Sequence, residues 1–181
     1  MKTIFVLFAF VISMATCRAD SSDVSVYVKH TLSRFYLGSV GADFSDAHHS
    51  LSNDITISKG NCYAGLWMAT GPGPSKYKED WDPYVGIVHS FGPIRYGATA
   101  TYFVLSNLYE SRDDLWSFDQ RISPAKEHFI QPYLKVRAFN KVGSKSFESG
   151  WFGWVGPTHS HSFGKVTLNN DLSVAYSDGP L

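Results

Sequence analysis

Asp46, His48 and Ser50 share one parity of a two-residue alternation, and an acid, an imidazole and a hydroxyl are the components of a hydrolase. On an extended chain, same-face neighbours start about 6.6 Å apart, so the three would have to lean together, and nothing in the segment supplies an oxyanion hole. Asp and Ser are also turn formers, and the segment joins two strand-like runs, so it reads as a turn. His159 and His161 are likewise two apart, within Pro157-Thr158-His159-Ser160-His161-Ser162, and could grip a metal ion from one strand face. Two ligands do not define a metal site, and the sequence places no third, so the segment reads as a polar strand end or loop. The expectation is a protein that is not an enzyme, with no catalytic residues, no cofactor and no metal, His159 and His161 being weak metal candidates.

The elements that carry these residues follow from export and alternation. Met1 to Ala19 has Lys2, an apolar run from Ile4 to Met14, and a small residue before Asp20-Ser21-Ser22, the pattern of a secretory signal peptide. Residues 20–181 then form a single domain. Cleavage after Ala19 removes Cys17 and leaves Cys62 without an internal disulfide partner, as a small apolar residue on the parity of Ala64, Leu66 and Met68. A lipoprotein acylated on Cys17 is the lesser option, because Met14-Ala15-Thr16 is a poor approach to an acylated cysteine. Losing Lys2 and Arg18 leaves 14 basic against 16 acidic residues, so the processed chain is nearly neutral and has no basic stripe for a nucleic acid.

One stretch, Ile94 to Val104, sets the architecture. Ile94, Tyr96, Ala98, Ala100, Tyr102 and Val104 share one side, and the other side is mostly polar or glycine. At about eleven residues it has the length of a tilted strand that crosses a bilayer, with a tyrosine near each end of the apolar face. Similar runs recur at Val24–Leu32, Phe35–Ala42, Leu51–Lys59, Asn61–Thr70, Pro83–Phe91, Ile130–Ala138, Phe147–Val155 and Val166–Tyr176, with a further strand plausible within Thr158–Phe163. Lys59-Gly60 and Gly92-Pro93 read as hairpin turns. Gly71-Pro72-Gly73-Pro74 and the charged stretch Lys76–Asp82 read as a loop, and so does acidic Asn107–Ala125. The chain is therefore expected to be all-β, an antiparallel up-and-down β-barrel of about 8 to 12 strands.

If the apolar parity meets lipid, the polar parity lines a lumen. Arg95, Thr99, Thr101, Gln131, Lys135, Arg137, Asn169 and Asp171 are the lumen-lining candidates, forming a hydrogen-bonded plug or a narrow wet passage. Tyr96, Tyr102, Trp67, Trp151 and Tyr176 are the candidates for an interfacial aromatic girdle. Alternation alone is equally compatible with the reverse, a soluble barrel or sandwich with its apolar parity inside.

The segment Tyr36-Leu37-Gly38 to Ser45-Asp46, the alternating Leu51–Ser58, the Lys59-Gly60 hairpin and Tyr63-Ala64-Gly65-Leu66-Trp67 resemble the opening of a family of uncharacterised bacterial outer-membrane β-barrel proteins. Tyr84-Val85-Gly86 and Gly92-Pro93 match that family's later Tyr-x-Gly strand and its sheet-ending Gly-Pro. The resemblance implies location and architecture, not an activity. Such barrels usually finish on a strand ending in an aromatic residue, whereas this sequence closes on Ser177-Asp178-Gly179-Pro180-Leu181, as in a barrel truncated at its C-terminus.

The function expected from sequence is that of an outer-membrane β-barrel with a structural or narrow passive-pore role. Its partners would be the lipid bilayer and small solutes, not nucleic acid. The alternative is a soluble periplasmic barrel or sandwich that binds a small apolar ligand.

Overall fold

The alternating runs become strands because each offers one continuous apolar side and one polar side, which only a period of two can separate. A computed structural model describes residues 23–33, 50–70, 79–104, 114–126, 128–142, 149–163 and 166–178. The signal segment 1–19, the expected strand at 35–42, and Asp46 and His48 lie outside the described residues, as does the side chain of Ser50. The strands are β1 (Val24–Ser33), β2 (Ser50–Lys59), β3 (Cys62–Thr70), β4 (Glu79–Phe91), β5 (Ile94–Phe103), β6 (Asp114–Pro124), β7 (Ile130–Val142), β8 (Gly150–Phe163), β9 (Val166–Asp171) and β10 (Val174–Asp178).

The protein is all-β, one antiparallel up-and-down sheet of 10 strands in which each strand from β1 to β8 pairs with the next. Both β9 and β10 pair with β8, in one continuous register that holds Asp171↔Thr158 and Val174↔Val155. The break between them faces Pro157. Leu172 N–H donates to the Pro157 carbonyl at 3.1 Å, but Pro157 has no N–H to return. The run expected at Val166–Tyr176 is thus one line of strand interrupted by a missing donor.

Three sequence expectations differ from the structure. Asn107–Ala125 is not a loop throughout, because Asp114–Pro124 forms β6. Its inward parity carries Asp119 and Arg121, and those charges read as loop composition when they belong to a paired polar face. Likewise β4 begins at Glu79, inside the stretch read as a charged loop, and Thr158–Phe163 continues β8 instead of adding a strand.

The expected barrel closure is also absent among the described residues, where no ladder joins β1 to β9 or β10. The topology supplies a reason. With β9 and β10 as one line, β1 and that last line run in the same direction, so a closing pair would be parallel while every ladder formed is antiparallel. The sheet is nonetheless curled. Val88 of β4 and Ser162 of β8, four strands apart along the sheet, line a single cavity of about 660 Å³.

Connections differ at the two ends of the sheet. At one end the linking residues are 60–61, 92–93, 125–129 and 164–165; at the other they are 34–49, 71–78, 104–113 and 143–149. Gly60 and Gly92 both have φ of 57°, the left-handed conformation that two-residue hairpins require, and Gly92 precedes Pro93 as in a type II′ turn.

Candidate functional site

Register sorts the side chains onto two faces of opposite character. On one parity Val26 is 63% exposed, Val155 59% and Val174 73%; on the other, Asp82 and Arg137 are 4% and 9% exposed. The apolar parity therefore points outward over β1, β2, β7, β8 and β10, and the polar parity points into the concavity. The outward face also has a buried strip, Ile87, Ala98 and Ala100, across β4 and β5.

Seven of the eight lumen-lining candidates share the inward face, and for the eighth, Asn169, only the register position is described. Asp119 opposes Thr99 on one side and Arg137 on the other, Thr101 opposes Ser117, and Gln131 opposes Thr158, which in turn opposes Asp171. Lys135 opposes Arg121, Arg95 opposes Ser123, and Asn169 occupies the register position facing Ser160. At the centre, Arg137 makes a two-pronged ion pair with Asp119: Nε donates to Oδ1, and Nη2 donates to Oδ2 at 2.6 Å. Lys135 Nζ stands 3.9 Å from Asp119 Oδ1 and 5.2 Å from the Trp154 ring centre. Asp119 was not singled out from sequence, because its segment read as loop. The signal that could have found it is the alternation Leu115, Ser117, Asp119, Arg121 against Trp116, Phe118, Gln120, Ile122.

Tyrosines tie the inward face together by crossing over glycines. Tyr63 faces Gly86 on β4, and its hydroxyl continues to Thr99 Oγ1 on β5 at 2.5 Å. Tyr84 faces Gly65 on β3, and its hydroxyl donates to Asp54 Oδ1 on β2 at 2.6 Å and bonds the Thr56 hydroxyl. Tyr133 faces Gly156 on β8 and donates to Asp171 Oδ1 on β9 at 2.7 Å. In the first two crossings the glycine is a steric requirement: a Cβ at Gly65 or Gly86 would overlap the tyrosine ring lying on it. The two Tyr-x-Gly motifs are therefore one interlocked device, with ring centres 6.1 Å apart.

The girdle candidates divide. Tyr96, Tyr102, Trp151 and Tyr176 lie on the outward parity, Tyr102 against Trp116 at 4.9 Å and Trp151 against Tyr176 at 5.5 Å between ring centres. Trp67 does not join them. It faces Asp54 and Asp82 on the inward side, because the parity of β3 places it with Tyr63 and Gly65. At the short-turn end a second outward aromatic group forms from Phe129 and Phe163 with His159 and His161 between them, and Phe91 packs separately on His89 at 4.4 Å.

His159 and His161 belong to that group. Their rings stack at 6.2 Å, flanked by Phe129 at 4.2 Å and Phe163 at 4.3 Å. Their neighbours are aromatic, and among the described residues no cluster of three metal-ligating side chains occurs. Cys62 is disulfide-bonded in the uncleaved chain, whose other cysteine, Cys17, lies outside the described residues; its reading as unpaired concerns the chain cleaved after Ala19.

What the arrangement can do is hold charge and hydrogen bonds in a concave polar surface behind an apolar exterior. No family model matches the chain, and neither a curated protein nor a solved structure is found similar to it.

Proposed function

We propose that this chain is an exported outer-membrane β-barrel protein with a structural or narrow passive-pore role and no catalysis. The observation that carries the reading is the inversion of its faces: branched aliphatic side chains lie exposed while Asp119 and Arg137 pair inside. In water the hydrophobic effect would select the opposite orientation, and in hydrocarbon it selects this one.

Three features agree with it. Strands of 10 to 14 residues from β4 to β8 are long enough to cross when tilted. Aromatic groups flank the apolar band, with Trp151 and His159 about 27 Å apart along β8. The two-residue hairpins at Gly60-Asn61 and Gly92-Pro93, both at one end of the sheet, match the short turns of such barrels. In lipid the edges of β1 and of the β9–β10 line must both be paired, since an open edge there leaves amides that nothing hydrates. Phe139 and Phe152 beside Arg137, and Tyr63 bonded to the Thr99 that opposes Asp119, favour a plug or a constricted passage over a wide channel.

A second reading, a soluble periplasmic β protein that binds a small apolar ligand, draws on one observation, the buried strip of Ile87, Ala98 and Ala100 on the apolar parity. Cell fractionation with gel mobility before and after boiling separates the two. A membrane-fraction band with a heat-dependent shift is expected; a soluble periplasmic band without a shift would replace the first reading by the second.

A further inference from the structure

The cavity of about 660 Å³ lies on the inward face toward the short-turn end, away from the Asp119–Arg137 centre. Its charged lining is basic, Arg95 and Arg121, with His128, Gln131, Ser123 and Ser160 among its polar walls. Among the described residues no carboxylate lines it. The acids closest in register are engaged elsewhere, Asp119 by Arg137 and Asp171 by Tyr133. The Arg121 guanidinium carbon stands over the Tyr133 ring, 4.2 Å from its centre, a contact that holds the side chain without neutralising its charge. Among the described residues neither Arg95 nor Arg121 has an ion-pair partner.

These two arginines converge. Arg121 opposes Gly97 and Arg95 opposes Ser123, so they are diagonal same-face neighbours on adjacent strands, about 7 to 8 Å apart at the backbone. Gly97 leaves the floor between them open. Unlike Gly65 and Gly86, it is not held to glycine by packing: an added Cβ would meet its closest neighbours at an ordinary 3.8 Å.

We propose that this cavity is a binding site for a small phosphate-bearing anion. Two guanidinium forks with the Ser123 and Ser160 hydroxyls beside them match the donors and charge that a phosphate group needs, and the volume admits the small organic body of a phosphorylated solute. The site belongs to the polar face, so its ligand comes from solution and not from a lipid headgroup. The inference does not require that the sheet span a membrane.

Titration calorimetry of the full chain, folded in detergent or in buffer alone, with inorganic phosphate over a constant chloride background tests it. Saturable binding is expected, with Kd raised at least about tenfold by Arg95→Gln with Arg121→Gln, as loss of charge-assisted hydrogen bonds implies. Gly97→Leu, which keeps both charges and fills the floor, is expected to abolish it. Strand content by circular dichroism verifies that each variant is folded. No saturable phosphate heat in the native chain overturns the proposal, as does unchanged affinity in the folded double variant. Dipalmitoyl phosphatidic acid vesicles binding where inorganic phosphate does not would overturn the assignment to a soluble anion. A heat-dependent gel shift without phosphate binding would remove this site and leave the membrane reading standing.

Discussion

Tyr84 lies across Gly65 on the neighbouring strand and delivers its hydroxyl to Asp54 one strand further on, while two positions away Tyr63 lies across Gly86 in the opposite direction. Each aromatic ring covers backbone that would otherwise have no side-chain packing, and each hydroxyl is satisfied by a strand that its own does not touch. The device binds β2, β3, β4 and β5 more tightly than their ladders alone.

Gly65→Ala and Gly86→Ala are therefore expected to be strongly destabilising for such small changes. The new methyl meets not only the ring but a carbonyl, Ile55 O or Ala98 O, at 2.6 Å. Relief needs a backbone shift, and a loss of about 1 to 3 kcal/mol is expected from overpacking. Gly97→Ala on the same face should be close to neutral, and urea unfolding of the three variants side by side checks the contrast.

Tyr84→Phe keeps the ring over Gly65 and removes the hydrogen bond to a carboxylate. A loss of about 1.5 to 3 kcal/mol is expected, because Asp54 is left short of a donor. Tyr63→Phe, whose partner is the neutral Thr99 hydroxyl, should lose less, about 0.5 to 1.5 kcal/mol. Equal losses in denaturant midpoints would argue against the charge-assisted assignment.

Breaking the central pair should cost more than deleting it. Arg137→Met or Asp119→Leu alone removes one partner of a buried pair, about 3 to 5 kcal/mol, whereas the double replacement should recover most of that loss. Lys135, 3.9 Å from Asp119, is placed to compensate partly in the Arg137 variant, so Asp119→Leu is expected to be the worse of the two. A double-mutant cycle on chemical unfolding reads the coupling directly.

Cys62 gives a test of processing. Removal of residues 1–19 takes Cys17 with it and leaves Cys62 as one titratable thiol, whereas the unprocessed chain, with Cys62 disulfide-bonded, has none. Thiol titration in denaturant, with the intact mass of the exported protein, should give one thiol and the mass of residues 20–181.

Fold class was legible because the near-strict alternation over Ile94–Val104 and Val166–Tyr176, broken only at Phe103 and Asn170, admits no helical period. The inward placement of Arg95, Lys135, Arg137 and Asp171 followed from the same parity. Trp67 was misassigned because its ring type suggested an interface, while the parity it shares with Tyr63 and Gly65 placed it inside. Asp119 and the whole of β6 were missed for a related reason: buried charge looks like loop composition until its partner across the ladder, Arg137, is known. The Tyr-x-Gly motifs were visible as motifs, but their interlock depends on register between β3 and β4, which no single strand encodes.

The central claim is that the exposed apolar parity faces lipid, and charge placed on it at two depths tests this most directly. Val155 is mid-strand on β8 and Phe129 sits at the short-turn end, and both are well exposed, at 59% and 69%. Val155→Arg and Phe129→Arg would be compared by urea unfolding of the protein folded into phosphatidylcholine vesicles. The account predicts a loss of about 2 to 4 kcal/mol for Val155→Arg and about 0 to 1 kcal/mol for Phe129→Arg. Losses within about 0.5 kcal/mol of zero at both positions, as for ordinary surface sites in water, would contradict it.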